Sequence, residues 1–103
     1  MVTSQEFIEK IALALSDAGA EIKKMFGEYG VFAEGKVYAL VCDDRFLVKP
    51  TPSAKELLPG APEEPPYPGA KPMLLVRDFQ NAPLMRELCR RVPSELPAPK
   101  RRR

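Results

Sequence analysis

Few side chains in this sequence could do chemistry, and what is missing narrows the field. The chain has no histidine, the usual general base near neutral pH and the commonest metal ligand. Ser-His-Asp and Cys-His nucleophilic sites are therefore excluded. So are zinc sites that use histidine, and two cysteines cannot build a four-cysteine site. Cys42 and Cys89 stand in no metal or redox spacing. They read as reduced, buried thiols acting as small hydrophobes. The alternative, a disulfide, requires the strand carrying Cys42 to face the helix carrying Cys89. Asp43 and Asp44 suggest paired carboxylates, but neighbours in a tight turn point apart, and a turn is reason enough for both. The expectation is no catalytic residue, no cofactor and no metal, and hence not an enzyme.

Two groups remain as binding candidates. The first is Met25, Phe26, Gly27, Glu28, Tyr29 and Gly30. One reading is a turn whose glycines serve backbone geometry, with Met25, Phe26 and Tyr29 filling core. The other is a presented turn that docks a protein partner through exposed Glu28 and Tyr29, since Tyr and Met suit interface cores. The glycine spacing does not fit a phosphate loop. The second group is Lys100, Arg101, Arg102 and Arg103. Such a run can contact phosphates with weak, salt-sensitive affinity, and Arg86, Arg90 and Arg91 could extend it. No aromatic residue interleaves the run, so base stacking is not indicated. Its plain reading is a solvated tail.

These residues must be positioned by one small domain. The chain has 103 residues, 45% hydrophobic and 29% charged, which suits a single core without staples. The net charge is +2, but residues 93–103 alone carry four basic and one acidic group, leaving residues 1–92 at −1. The basicity belongs to the tail and does not indicate a basic binding face. A folded unit over 1–92 and a disordered basic tail over 93–103 are expected. The N-terminus lacks a signal-peptide pattern, and the apolar run Val37 to Cys42 is too short to span a membrane. The cytoplasm is the expected location, with no membrane contact.

The elements can be placed from pattern. Residues 4–18 read as an amphipathic helix, with Thr3 and Glu6 in capping-box spacing. Phe7, Ile11, Leu15 and Ala18 form its apolar stripe, widened by Ile8 and Ala12, and Gly19 supplies a stop. Residues 21–26 read as a short strand or extended segment. Strands follow over Tyr29–Ala33, Lys36–Cys42 and Arg45–Lys49, joined by tight turns at Glu34-Gly35 and Asp43-Asp44. Strict alternation over Lys36–Cys42 puts Val37, Ala39 and Val41 on one face and Tyr38, Leu40 and Cys42 on the other. Both faces are apolar, so this strand is central and covered on both sides, at least in part.

Residues 50–72 hold eight of the twelve prolines, so no interior strand lies there. Ser53 and Glu56 predict one capped helical turn to Leu58. Pro62–Gly69 reads as a surface loop, or as a ligand for a proline-binding module. Met73–Val76 rejoins the sheet. A last helix begins after Asn81, carries the stripe Leu84, Met85, Leu88, Cys89 and Val92, and ends at Pro93. The fold class is α+β: a small antiparallel sheet of four to five strands with an N-terminal and a C-terminal helix packed on it.

The segment Met25-Phe26-Gly27-Glu28-Tyr29-Gly30-Val31-Phe32, then Gly35-Lys36-Val37-Tyr38-Ala39-Leu40-Val41, resembles the signature of the TfoX N-terminal domain family, also called TfoX/Sxy. Phe46-Leu47-Val48-Lys49 matches a later family strand. The resemblance covers roughly residues 4–92, with specificity in 24–49. Glu28 stands where the family usually has a second glycine. Pro66-Tyr67-Pro68-Gly69 and Met73-Leu74-Leu75-Val76 replace segments that are often richer in aromatics. The resemblance implies a compact α+β domain and supplies no catalytic residues. Two-domain relatives regulate competence genes, and this chain has no room for their second domain. The expected function is a non-enzymatic regulatory or adaptor domain acting through an unidentified protein partner, in a setting of transcription or competence regulation. The alternative is a weak nucleic-acid binder using Lys100–Arg103. A sheet edge also leaves a homodimer open.

Overall fold

A computed structural model describes residues 3–25 and 28–96. The first helix, α1, spans Gln5–Ala14. Its cap is Ser4, whose side chain accepts from the Phe7 amide at 3.1 Å. The expected Thr3 cap is displaced by one residue because Thr3 is used elsewhere. Its hydroxyl accepts from the Asp44 amide at 3.3 Å and its own amide donates to Glu28 Oε1 at 3.1 Å. The helix also closes earlier than its pattern predicts. Leu15 is the C-cap, and a turn carries the chain to Gly19 at φ +82°. Ile8, Ile11 and Leu15 are buried as their spacing requires, whereas Ala12 is exposed.

Strands β1 (Glu21–Met25), β2 (Glu28–Ala33), β3 (Lys36–Cys42) and β4 (Arg45–Val48) form an antiparallel meander. Both tight turns demand left-handed backbone. Glu34 and Gly35 have φ +56° and +75°, and Asp43 and Asp44 have φ +53° and +56°. Positive φ at both central residues is the type I′ signature, whose twist matches the strands it joins. Helix α2 covers Pro52–Leu57, capped by Thr51, which accepts from the Ala54 amide. Ser53, expected to cap it, points its donors at Glu95 instead.

Two further strands complete the sheet. The two-residue β5 (Glu63–Glu64) pairs with β6 (Met73–Leu75), and β6 pairs with β4. The order is β1-β2-β3-β4-β6-β5. There are thus six strands, slightly more than expected, because the proline loop contributes an edge strand where the missing N–H groups do least harm. Helix α3 (Ala82–Arg91) is capped by Asn81 and buries Met85, Leu88, Cys89 and the C-cap Val92.

The fold runs past the boundary expected at Val92. Pro93–Glu95 is a 3-10 turn with Pro93 buried. Lys36 Nζ donates to the carbonyls of Pro93 (2.9 Å) and Leu96 (3.2 Å), tying this turn to β3. Glu95 accepts from the Ser53 amide at 3.0 Å and from the Ser53 hydroxyl. Those donations hold the Glu95 carboxyl below the ordinary carboxylate range.

The helix-side core contains Val31, Tyr38, Ala39, Val41, Phe46, Val48 and Leu74 from the sheet, under α1 and α3. Tyr38 is the departure from strict alternation. Val31 pairs with Ala39 while Phe32 pairs with Val37, so the register skips Tyr38. This bulge turns Tyr38 into the same core as Ala39 and Val41. Its hydroxyl is buried near the Cys89 thiol without hydrogen-bond geometry, and desolvation pushes its pKa far above the ordinary tyrosine value.

Candidate functional site

The opposite face of the sheet is built differently. Cys42, Leu47 and Met73 are buried yet stand outside the helix-side cluster. Register explains this: Leu40 pairs with Leu47, Leu47 with Leu75, and Cys42 with Arg45, all one step out of phase with the core residues. No described helix seals the hollow on this face. The strap Glu64–Pro68 crosses it, with Pro66 buried and Tyr67 60% exposed.

Beneath the strap is a cleft of about 920 Å³, lined by Leu40, Cys42, Arg45, Tyr67 and the first residues of β2, Glu28 and Tyr29, with Asp43 and Glu64 adding carboxylates. A second hollow of about 380 Å³ adjoins it, sharing Leu40, Pro66 and Tyr67, and extends past Lys49 and Lys71 to Leu96. The size falls in the range of ligand-binding clefts.

Arg45 holds the strap. Its Nη1 donates to Glu64 Oε1 at 2.9 Å and to the Pro65 carbonyl at 3.2 Å, and its Nη2 donates to the Pro66 carbonyl at 3.1 Å. A planar fork with several donors suits this use better than a lysine. Nε is buried and has no partner. Glu28 holds the rim: Oε1 accepts from the Thr3 amide, and Oε2 from the Asp43 amide at 3.2 Å. One carboxylate thus joins the N-terminal segment, β2 and the β3–β4 turn, while Asp44 accepts from the Ser4 amide at 2.7 Å.

The sequence-predicted residues fare unequally. Glu28 and Tyr29 are half-buried rather than freely presented, and Gly30 is buried. Glu28 and Tyr29 do line the cleft, so the expected partner surface and the cleft meet there. Phe26, Gly27 and the side chain of Met25 lie outside the described residues, as do Lys100, Arg101, Arg102 and Arg103. The proposed basic extension along α3 is partly neutralised. Arg90 pairs with Glu87 at 2.8 Å and Arg91 with Glu56 at 2.7 Å. Both cysteines are free, and they serve opposite faces: Cys89 lies in the helix-side core and Cys42 lines the cleft.

The Cys42 thiol lies near the Glu28 and Asp43 carboxylates and the Arg45 guanidinium. Burial raises its pKa, the Glu28 and Asp43 carboxylates add to the rise, and Arg45 opposes it. The cleft's other polar groups are largely occupied in holding backbone. Among the described residues no cluster of three or more metal-ligating side chains occurs.

Sequence reasoning missed Arg45, Leu40 and Tyr67. The signals were present: a guanidinium inside an apolar strand, an apolar residue out of phase with the core, and a tyrosine between prolines. Each acquires meaning only when the loop is known to fold back over the sheet.

A family model for the TfoX N-terminal domain matches residues 14–85. The chain belongs to the TfoX N-terminal domain family. A relative in Spirochaeta aurantia, named "Uncharacterized 12.7 kDa protein in trpE 5'region", is 36% identical over 97 residues, covering 89% of this chain and 84% of that protein. In this member of the TfoX N-terminal domain family the matched region takes in β1 to β6 and the strap, so the cleft lies within the shared domain. No described helix is long and apolar enough to cross a membrane.

Proposed function

We propose that this chain is a non-enzymatic regulatory or adaptor domain that receives a segment of a protein partner in its sheet-face cleft. The setting is the transcription- or competence-linked one associated with two-domain relatives of the family. The observation that carries the reading is the cleft itself: about 920 Å³, walled by Glu28 and Tyr29 and roofed by a strap with an exposed tyrosine. Apolar floor, few polar groups and aromatic walls favour binding. The raised Cys42 pKa and the structural employment of Arg45 and Glu28 argue against chemistry there.

Photo-crosslinking in the native cell tests it. A crosslinking residue at Tyr67 is expected to capture a discrete protein, and Leu40→Arg, which fills the cleft floor, is expected to abolish the capture. A crosslinker at Leu13, 75% exposed on α1, serves as the comparison. Capture from Leu13 alone, or capture from Tyr67 indifferent to Leu40→Arg, would move the contact off the cleft.

A further inference from the structure

The two ends of the sheet-face cleft carry opposite charge. We propose that the cleft recognises an extended peptide segment with a basic and an acidic side chain about four residues apart and apolar residues between them. The inference rests on the partner reading above and specifies the chemistry of the segment received.

Strand register fixes where the charges stand. Phe46 and Val48 belong to the helix-side core, so Arg45, Leu47 and Lys49 alternate onto the strap face. β4 therefore runs from the Asp43-Asp44 turn at one end of the cleft to Lys49 at the other. Glu28 stands at the turn end, since its Oε2 accepts from the Asp43 amide. Glu64 stands there too, bound to Arg45. Lys71 belongs to the far end. Leu75 pairs with Leu47 and Leu74 with Val48, so the residues before β6 lie beyond the end of β4. Lys71 accordingly lines the smaller hollow together with Lys49.

Neither end neutralises itself. The turn end sets the carboxylates of Glu28, Asp43 and Glu64 against the Arg45 guanidinium. Arg45 pairs with Glu64, and Glu28 is held by two main-chain amides, which are neutral. Among the described residues the Asp43 carboxylate has no hydrogen-bond donor, and Lys49 and Lys71 have no carboxylate within ion-pair distance. A segment with a single sign of charge would meet repulsion at one end. A segment with both signs meets attraction at each, and complementarity of this kind selects partners more than it adds affinity.

The middle sets the spacing and the filling. From Arg45 to Lys49 the strand advances about 13 Å. A polyproline-like segment covers that distance in about four residues. A free amino acid is too short to bridge it, and an amphiphile with one charged head serves one end only. Between the ends the two hollows share Leu40, Pro66 and Tyr67, with Met73 in the smaller one. These side chains offer the apolar and ring surface on which extended proline-containing segments dock.

The test titrates the full-length chain with end-blocked synthetic peptides and follows amide NMR shifts. Two peptides carry opposite ends, Lys-Leu-Pro-Leu-Glu and its reverse, Glu-Leu-Pro-Leu-Lys. Two carry like ends, Lys-Leu-Pro-Leu-Lys and Glu-Leu-Pro-Leu-Glu. At low salt the opposite-ended peptides are expected to bind about tenfold more tightly than either like-ended one, which exchanges a weak attraction for a repulsion at one end. The shifts should centre on Leu40 and Tyr67. Lys49→Glu with Lys71→Glu is expected to turn the preference to the peptide with two lysines. Lys71→Glu alone, at an exposed site, should move it the same way and keeps the test readable should the pair fail to fold. Equal affinity of all four peptides, with shifts at Leu40 and Tyr67, would overturn the charge pattern and leave the partner reading standing. Binding indifferent to the lysine substitutions, or no binding of any peptide, would also overturn the proposal, and the Tyr67 crosslink then decides the partner reading separately.

Discussion

The two faces of this sheet are closed by different physics. On the helix side, Val31, Ala39, Val41, Phe46 and Val48 meet Ile11, Met85 and Leu88, and all are essentially inaccessible. Dispersion and apolar burial hold that face, and they tolerate no vacancy. On the strap side, Leu40, Cys42 and Tyr67 border open space, and the cover is held by Arg45 through carbonyls and one carboxylate. One sheet can thus be packed shut on one side and left open as a cleft on the other. A cover fastened by a few polar contacts can lift at far lower free energy than a packed helix.

The comparison can be broken most forcefully in the core. Leu88→Ala removes a fully buried side chain and is expected to destabilise by about 2–5 kcal/mol in denaturant unfolding. The same change at half-buried Leu40, a cleft wall, is expected to cost roughly 1 kcal/mol or less, since little cavity is created there. Equal losses would mean that the cleft floor is as tightly packed as the core.

Arg45→Met acts on the strap. It removes the bonds to Glu64, Pro65 and Pro66 and is expected to cost about 1–3 kcal/mol. The loss should show in hydrogen exchange as opening at Leu75, whose amide donates to the Pro62 carbonyl, while α3 amides keep their protection. Exchange that rises everywhere would show that the strap is integral to global stability.

The smallest effect concerns the Glu95 latch. Its carboxyl is held below the ordinary value by Ser53, so its contribution is complete above that ordinary value. It fades as pH falls through the depressed folded value. Glu95→Gln is expected to lower the melting temperature slightly at neutral pH, with the gap closing in acid. A gap unchanged in acid would assign the effect to packing.

Much of the helix-side fold was legible because its signals are local. The turns at Glu34-Gly35 and Asp43-Asp44 and the stripe on α3 follow from residue type and spacing. Tyr38 was not, since its bulge depends on how β2 pairs with β3. Thr3 and Ser53 looked like caps, and each was drawn to a partner distant in sequence, Glu28 or Glu95. Glu28 and Tyr29 read from sequence as presented on a turn, whereas in the fold both are half-buried and line the cleft. The cleft itself was invisible, because it exists only once residues 62–70 fold back on β4 through β6. On β1, Lys23 and Lys24 put charge on the exposed edge, a feature that discourages strand addition by other chains.

The two cysteines allow the most direct test. Cys42 is 7% exposed and Cys89 5%, so static burial barely separates them, while the two faces they sit on are closed in different ways. Thiol labelling of each, measured against denaturant below the unfolding transition, reads the opening that exposes it. Cys42 is expected to react through lifting of the strap, with weak denaturant dependence, and Cys89 only through global unfolding, with the full dependence. A shared steep dependence would contradict it, because both faces would then open only when the domain unfolds.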